Sequence, residues 1–140
     1  MSRAQEPVDN NEIRSLIKSQ YHASLAMLRD TVERCSQDLW VASNYSNAFW
    51  QIAYHAVFFG HLYLHLDKDS FQPWKEHQSN VQHPHGLLGP SDPKSPLPLI
   101  PNPYTREQVL SYWKICDDMV DPAIDRTDLH DPNCGFPWYK

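Results

Sequence analysis

The chain has 140 residues, of which 41% are hydrophobic, and a formal net charge of −5 with neutral histidines. This length allows one domain with a real core, and the hydrophobic content is too high for a disordered chain. No cluster of five lysines and arginines occurs, so the sequence indicates neither a nucleic-acid partner nor attachment to an anionic membrane. We therefore expect one domain over residues 1–140.

The N-terminal segment and the cysteines favour a cytoplasmic protein. Residues 1–12 are polar and lack the apolar core of a signal peptide. The three cysteines, Cys35, Cys116 and Cys134, are too few and too scattered for a disulfide framework. Cys35 and Cys116 are predicted to be small core residues on helix faces.

The first predicted helix runs from about Asn11 to about Gln37. Asp9 followed by Glu12 resembles a capping pair for its first turn. His22 is expected to be partly exposed beside a solvated charged face. Steps of three and four residues separate the apolar positions, which indicates one core-facing seam: Ile13, Leu16, Ile17, Tyr21, Leu25, Leu28, Val32, Cys35 and Leu39.

A second helix is predicted over residues 48–66, after a connection over residues 38–47. The helix is long and apolar enough to raise the question of a membrane span, but Gln51 and three histidines favour a buried helix of a soluble bundle. At a helical period, one predicted core stripe collects Ile52, His55, Phe58, Phe59, Leu62 and Leu66.

His55 on this stripe is the main candidate functional residue. A buried imidazole needs a hydrogen-bonding group, a water or a metal as its partner, and a satisfied core histidine is the commoner case. His61 and His65 share a face at i, i+4 spacing, which suits two positions of a zinc or nickel site. Because they lie roughly 80–120° around the helix from His55, we expect them at an exposed or interfacial polar edge.

The segment 67–104 is predicted to be a long connection, because seven prolines fall between Pro84 and Pro103. A short helical turn is possible over residues 70–77, where Phe71 and Trp74 could pack together. Such a connection lets the helices on either side run in directions that a tight turn forbids. Its histidines, His77, His83 and His85, form a weak metal-binding signal.

The start of the third main helix is marked by capping residues. Thr105 is a predicted N-cap, with Gln108 completing a capping box. Pro122, after Asp121, is predicted to end or restart the helix. The aromatic tail over residues 125–140 should pack onto the rest of the chain. The acidic residues near the helix end are expected to be solvated, with Asp121 able to accept a hydrogen bond from a histidine: Asp117, Asp118, Asp121 and Asp125.

Several segments in combination resemble the DinB-like (DinB/YfiT) superfamily of metalloenzymes. The likeness covers most of the chain, from the first helix to the end. It is carried by residues 49–55 with Phe58-Phe59, Pro103-Tyr104-Thr105 with Val109-Leu110 and Tyr112-Trp113, and Gly135-Phe136-Pro137-Trp138-Tyr139.

The resemblance implies an all-α, DinB-like four-helix bundle with a long crossover between helices two and three. It also implies a divalent metal, nickel, zinc or iron, held by three histidines. His55 matches the ligand on the second helix. The other two belong to an H-x-x-x-H pair on a fourth helix that should follow the aromatic tail, so we expect three main helices and an incomplete metal site in residues 1–140.

The resemblance suggests a metal-dependent thiol transferase or hydrolase acting on a small molecule. The alternative is a non-enzymatic helical bundle in which His55 is a satisfied core residue and the protein is a dimerisation or interaction module. In either case, three one-sided helices would leave an apolar groove, which predicts a homodimer.

Overall fold

A computed structural model describes residues 9–42, 44, 47–79, 81–82, 102–133 and 135–138. Its helices are α1 (Asn10–Arg34), α2 (Gln37–Trp40), α3 (Phe49–Tyr63) and α4 (Arg106–Arg126). The residues described include no β-strand, so the predicted all-α class is confirmed.

The helix α1 is capped as predicted at its start but ends earlier than expected. The Asp9 side chain accepts a hydrogen bond from the amide of Asn11. The backbone leaves the helical conformation at Cys35, and the Ser36 hydroxyl accepts from the amide of Leu39 to start α2. The break turns the chain so that Trp40 is buried, with its indole N–H donating to the carbonyl of Tyr104.

The helix α4 begins with the predicted capping box and continues through its proline. Thr105 and Gln108 exchange two hydrogen bonds of 3.1 and 2.8 Å between side chains and amides. Pro122 lies inside the helix, so the prediction that it ends or restarts the helix was wrong. The last turn is held by tertiary contacts that offset the missing amide: Ile124 is buried, and its carbonyl accepts from the Arg14 guanidinium.

The helix α4 packs against both α1 and α3. It runs antiparallel to α1, because Arg14 meets Ile124 near the end of α4 whereas Leu25 accepts from Trp113 near its start. It runs in the same direction as α3, because the Cys116 thiol donates to the carbonyl of Val57 and Arg126 donates to that of Leu64. Parallel neighbouring helices require the long connection that the prolines predicted.

Both ends of that connection pack onto the core. Trp74 stacks on Tyr112 with ring centroids 4.7 Å apart, and Tyr104 stacks on Tyr54 at 4.4 Å. The Tyr104 hydroxyl also donates to the carbonyl of Glu76 and accepts from the amide of Gln78. Residues 70–77 form turns and irregular backbone but no helix. The contacts of Trp74 and Tyr104 hold this segment in place of helical hydrogen bonds.

The tail and the cysteines follow their predictions. Phe136 packs edge-on against Tyr63 at 5.1 Å. Cys35 and Cys116 are buried free thiols, and burial raises the pKa of Cys116 to about 12. Cys134 lies outside the described residues. Across the described part of the chain, no helix combines the length and the apolar character needed to cross a membrane.

Candidate functional site

The face of α3 that enters the core matches the predicted stripe only at Phe58 and Leu62. Tyr54, Val57 and His61 are buried, whereas Ile52 is 51% exposed and His55 is half-buried. Both sides of this helix are apolar, so periodicity alone could not choose between them. The contacts with α4 and with the Trp74 segment select the side that carries Tyr54, and this rotates His55 outward.

His55 is oriented by the backbone of the following connection. Its Nδ1 lies 2.7 Å from the carbonyl oxygen of Gln82. A carbonyl only accepts, so Nδ1–H is the donor and the neutral ring carries its lone pair on Nε2. The ring also contacts Phe59 at a centroid distance of 4.7 Å. His55 is therefore a fixed, partly accessible imidazole instead of a core residue.

His61, predicted at a polar edge, is instead inside the core. Its side chain is 5% exposed, and its Nδ1 lies 2.6 Å from the hydroxyl oxygen of Tyr112 on α4. Burial lowers the pKa of His61 to about 4, and the neighbouring His65 adds to the shift. The sequence signal that could have identified it is its position four residues after Val57 and seven after Tyr54.

His65 lies just after the end of α3 and uses its Nδ1 differently from His61. That nitrogen donates to the carbonyl oxygen of His61 at 2.8 Å, and the two rings are 4.9 Å apart. Each imidazole therefore has one nitrogen already engaged. Among the residues described, no group of three or more histidine, cysteine, aspartate or glutamate side chains is arranged to hold a metal ion.

His77, the one histidine of the connection that the structure describes, contacts the aromatic core. His77 Nδ1 lies 2.6 Å from the hydroxyl of Tyr54, and burial lowers the pKa of His77. This loop histidine is therefore part of the aromatic core. His83 and His85 lie outside the described residues.

A histidine between two carboxylates joins α1 to α4. His22 Nδ1 lies 2.7 Å from Asp117 and its Nε2 lies 2.8 Å from Asp121. The hydrogen bond to Asp121, followed by that to Asp117, raises the pKa of His22. Asp121 thus reaches a histidine, as the sequence suggested, and His22 is partly exposed, as predicted.

A cavity of about 710 Å³ lies where the start of α1 meets the ends of α3 and α4. This volume is in the range of small-molecule sites. Its apolar and aromatic lining comes from Ile17, Tyr21, Tyr63, Leu64, Leu66, Ala123, Ile124, Leu129 and Phe136. Polar groups on the same wall include His65, Asp67, Arg126, Asp128, Asp131 and Asn133.

The tail closes this cavity because of one glycine. Gly135 has φ of 75°, and a Cβ atom there would lie 2.0 Å from the carbonyl oxygen of Leu66. Only glycine allows the tail this close to the end of α3. The approach places Phe136 against Tyr63 and completes one wall.

Sequence reasoning missed the cavity because its lining comes from three separate segments, residues 17–21, 63–67 and 123–136. The local signals were present: Asp128 and Asp131 each accept from the amide two residues later, as in turns that aspartate favours. What the sequence does not state is that these turns and Tyr21 of α1 line the same cavity.

No family model, no curated protein and no solved structure matches this chain.

Proposed function

We propose that this chain is a DinB-like helical-bundle protein in which His55 is one ligand of a divalent metal, nickel, zinc or iron. The substrate would be a small molecule undergoing metal-dependent transfer or hydrolysis. The sequence resemblance supports the proposal, and so do the all-α fold and the long connection between the parallel helices α3 and α4.

The hydrogen bond from His55 Nδ1 to the Gln82 carbonyl carries the proposal. Metal-ligating histidines usually donate their second ring nitrogen to a carbonyl or a carboxylate, which fixes the tautomer and aims the lone pair. His55 has this arrangement, and its Nε2 has no hydrogen-bond partner among the described residues. The donor suits nickel, zinc or iron.

The described residues supply one such ligand and no group of three. A complete site therefore needs two further ligands, from residues outside those described or from another chain. A bound metal would supply an activated water or thiolate. The contribution of this chain's own residues is to hold the His55 imidazole in position, through Gln82 and Phe59.

Metal analysis of the purified protein tests the proposal. We expect bound nickel, zinc or iron in the wild type and its loss in His55→Ala. His130→Ala is the matched control, because His130 is an exposed histidine whose imidazole contacts the Asn10 side chain. Equal, near-zero metal in all three proteins after growth with each metal would refute the assignment.

A second candidate is a non-enzymatic bundle that pairs with a second copy of itself through α3. The observation favouring it is that residues 49–66 contain no Asp, Glu, Lys or Arg, while Ile52 and Leu66 are 51% and 59% exposed. An uncharged face can meet its own copy without the repulsion expected between chains of net charge −5.

Light scattering after gel filtration tests the second candidate. Pairing through α3 predicts a dimeric mass for the wild type and a monomeric mass for Ile52→Glu. Met27→Glu, at a 72% exposed position on α1, should remain dimeric. A monomeric wild type at high micromolar concentration would rule out pairing.

A further inference from the structure

We propose that the cavity at the end of the bundle binds an organic cation, an amine carried on an apolar or aromatic body. The site is the space between the start of α1, the ends of α3 and α4, and the tail. It is separate from His55, which lies two turns or more before the cavity-lining end of α3, and it does not depend on a metal.

The interior of the cavity suits an apolar body. Leu64, Ile124 and Phe136 are each at least nine-tenths buried and contribute to its wall. Tyr21 and Tyr63 add aromatic surface from α1 and α3. A volume of about 710 Å³ is far larger than an inorganic ion needs and matches a small organic ligand.

The charged groups around the cavity favour a positive ligand. Three carboxylates, those of Asp67, Asp128 and Asp131, line it against one guanidinium, that of Arg126. The Arg126 guanidinium already donates to the Leu64 carbonyl at the end of α3. The local carboxylate charge therefore exceeds the cationic charge.

One oxygen of each of these carboxylates accepts a hydrogen bond from a nearby backbone amide, which leaves the other oxygen for a ligand. The Oδ1 atoms of Asp67, Asp128 and Asp131 accept from backbone amides at 2.7, 2.9 and 2.9 Å, respectively. These turns fix the carboxylates in place. Within the described part of the chain, their second oxygens have no hydrogen-bond partner, so each could accept from an ammonium group.

The helix ends add to the negative potential. The C-termini of α3 and α4 both reach the cavity, and the last carbonyls of a helix carry partial negative charge. The Arg126 and Arg14 guanidiniums, which donate to one terminal carbonyl each, offset part of this charge. The start of α1 lies at the same end, but Asp9 and Glu12 offset its positive pole. Tyr21 and Tyr63 line the cavity, and an aromatic ring is a further favourable contact for a cation.

Calorimetric titration with three matched ligands tests the charge preference. Phenethylamine should bind with one-to-one stoichiometry, more weakly at high salt. Phenethyl alcohol and phenylacetate, which carry the same ring with a neutral or an anionic group, should bind at least about tenfold more weakly. Equal binding of the amine and the alcohol, or no amine binding at millimolar concentration, would overturn the proposal.

Variants locate the site. The double variant Asp128→Asn, Asp131→Asn should weaken amine binding about fivefold or more, whereas Asp118→Asn, an exposed position paired with Lys114, should not change it. Leu129→Trp should fill the cavity and abolish binding while the helical circular dichroism is retained. Amine affinity that is unchanged in the double variant or in Leu129→Trp would place the ligand elsewhere and refute the assignment.

His55→Ala separates this proposal from the metal assignment. Amine binding should be unchanged in that variant, whatever its metal content. Loss of amine binding in His55→Ala with an intact fold would contradict a cavity site independent of His55.

Discussion

The hydroxyl oxygen of Tyr112 lies 2.6 Å from Nδ1 of His61, and this hydrogen bond joins α4 to α3 inside the aromatic core. Trp74 stacks over the Tyr112 ring and shields the pair from water. The contact satisfies two buried polar groups at once. It also fixes the rotation of α3, and through that rotation it places His55 on the outer side.

Removing the Tyr112 hydroxyl should destabilise the fold. Tyr112→Phe leaves the buried His61 imidazole without this partner, and a buried unsatisfied group costs about 1–3 kcal/mol. Urea unfolding measures the loss. Tyr63→Phe is the control, since its half-buried hydroxyl bonds Trp138 at the surface and should cost under about 0.5 kcal/mol. Equal costs for the two variants would contradict the role given to the buried pair.

Stability should fall in mild acid because of His61. Its folded-state pKa of about 4 lies below the ordinary 6.5, so the unfolded chain takes up the proton first. The stabilisation is complete above pH 6.5 and declines toward pH 4, by roughly 3 kcal/mol at most. The pKa of the half-buried His77 is lowered as well.

Chemical unfolding at pH 7, 6, 5 and 4 measures the slope of the free energy of unfolding against pH. His61→Asn should be less stable at pH 7 but lose less stability between pH 6.5 and 4. His130→Asn, at an exposed histidine, should keep the wild-type slope. A slope unaffected by His61→Asn would exclude His61 as its source.

His22 should show the opposite pH dependence. Hydrogen bonds to Asp121 and Asp117 raise its pKa above 6.5, so its contribution is complete below pH 6.5 and is lost as the pH rises through the folded-state pKa. An NMR titration of the His22 ring should give a midpoint above 6.5, lowered in Asp121→Asn. Asp118→Asn should leave the midpoint near that of the wild type, and a wild-type midpoint at or below 6.5 would disagree with the paired geometry.

The two described glycines should respond oppositely to alanine. Gly135→Ala places a Cβ atom against the Leu66 carbonyl at positive φ, which should cost at least about 1–2 kcal/mol and detach the tail. Gly60→Ala meets no atom within 4 Å and should stabilise α3 by up to about 1 kcal/mol. Thermal unfolding measures the direction of the stability change in both variants. Hydrogen exchange over residues 129–138 reports whether the tail stays packed. Protection of the tail retained in Gly135→Ala would contradict the close approach.

The sequence predicted the helices well where local chemistry decides them. Thr105 and Gln108 are three residues apart, and their capping hydrogen bonds depend on nothing distant. The sequence-based prediction failed where contacts with distant residues offset the free-energy cost of a local feature. Pro122 removes one amide hydrogen bond, but the contact of Arg14 with Ile124 keeps the helix intact around it.

The same distinction between local and distant determinants applies to the candidate sites. The sequence by itself determined that residues 49–66 contain no Asp, Glu, Lys or Arg and carry His55, His61 and His65, because composition and spacing are local properties. Only the tertiary structure decided which of these histidines enters the core, because a helix that is apolar on both sides has no preferred inner face until α4 packs against it. The cavity at the end of the bundle also exists only in three dimensions, because it forms where three segments that are distant in the sequence meet.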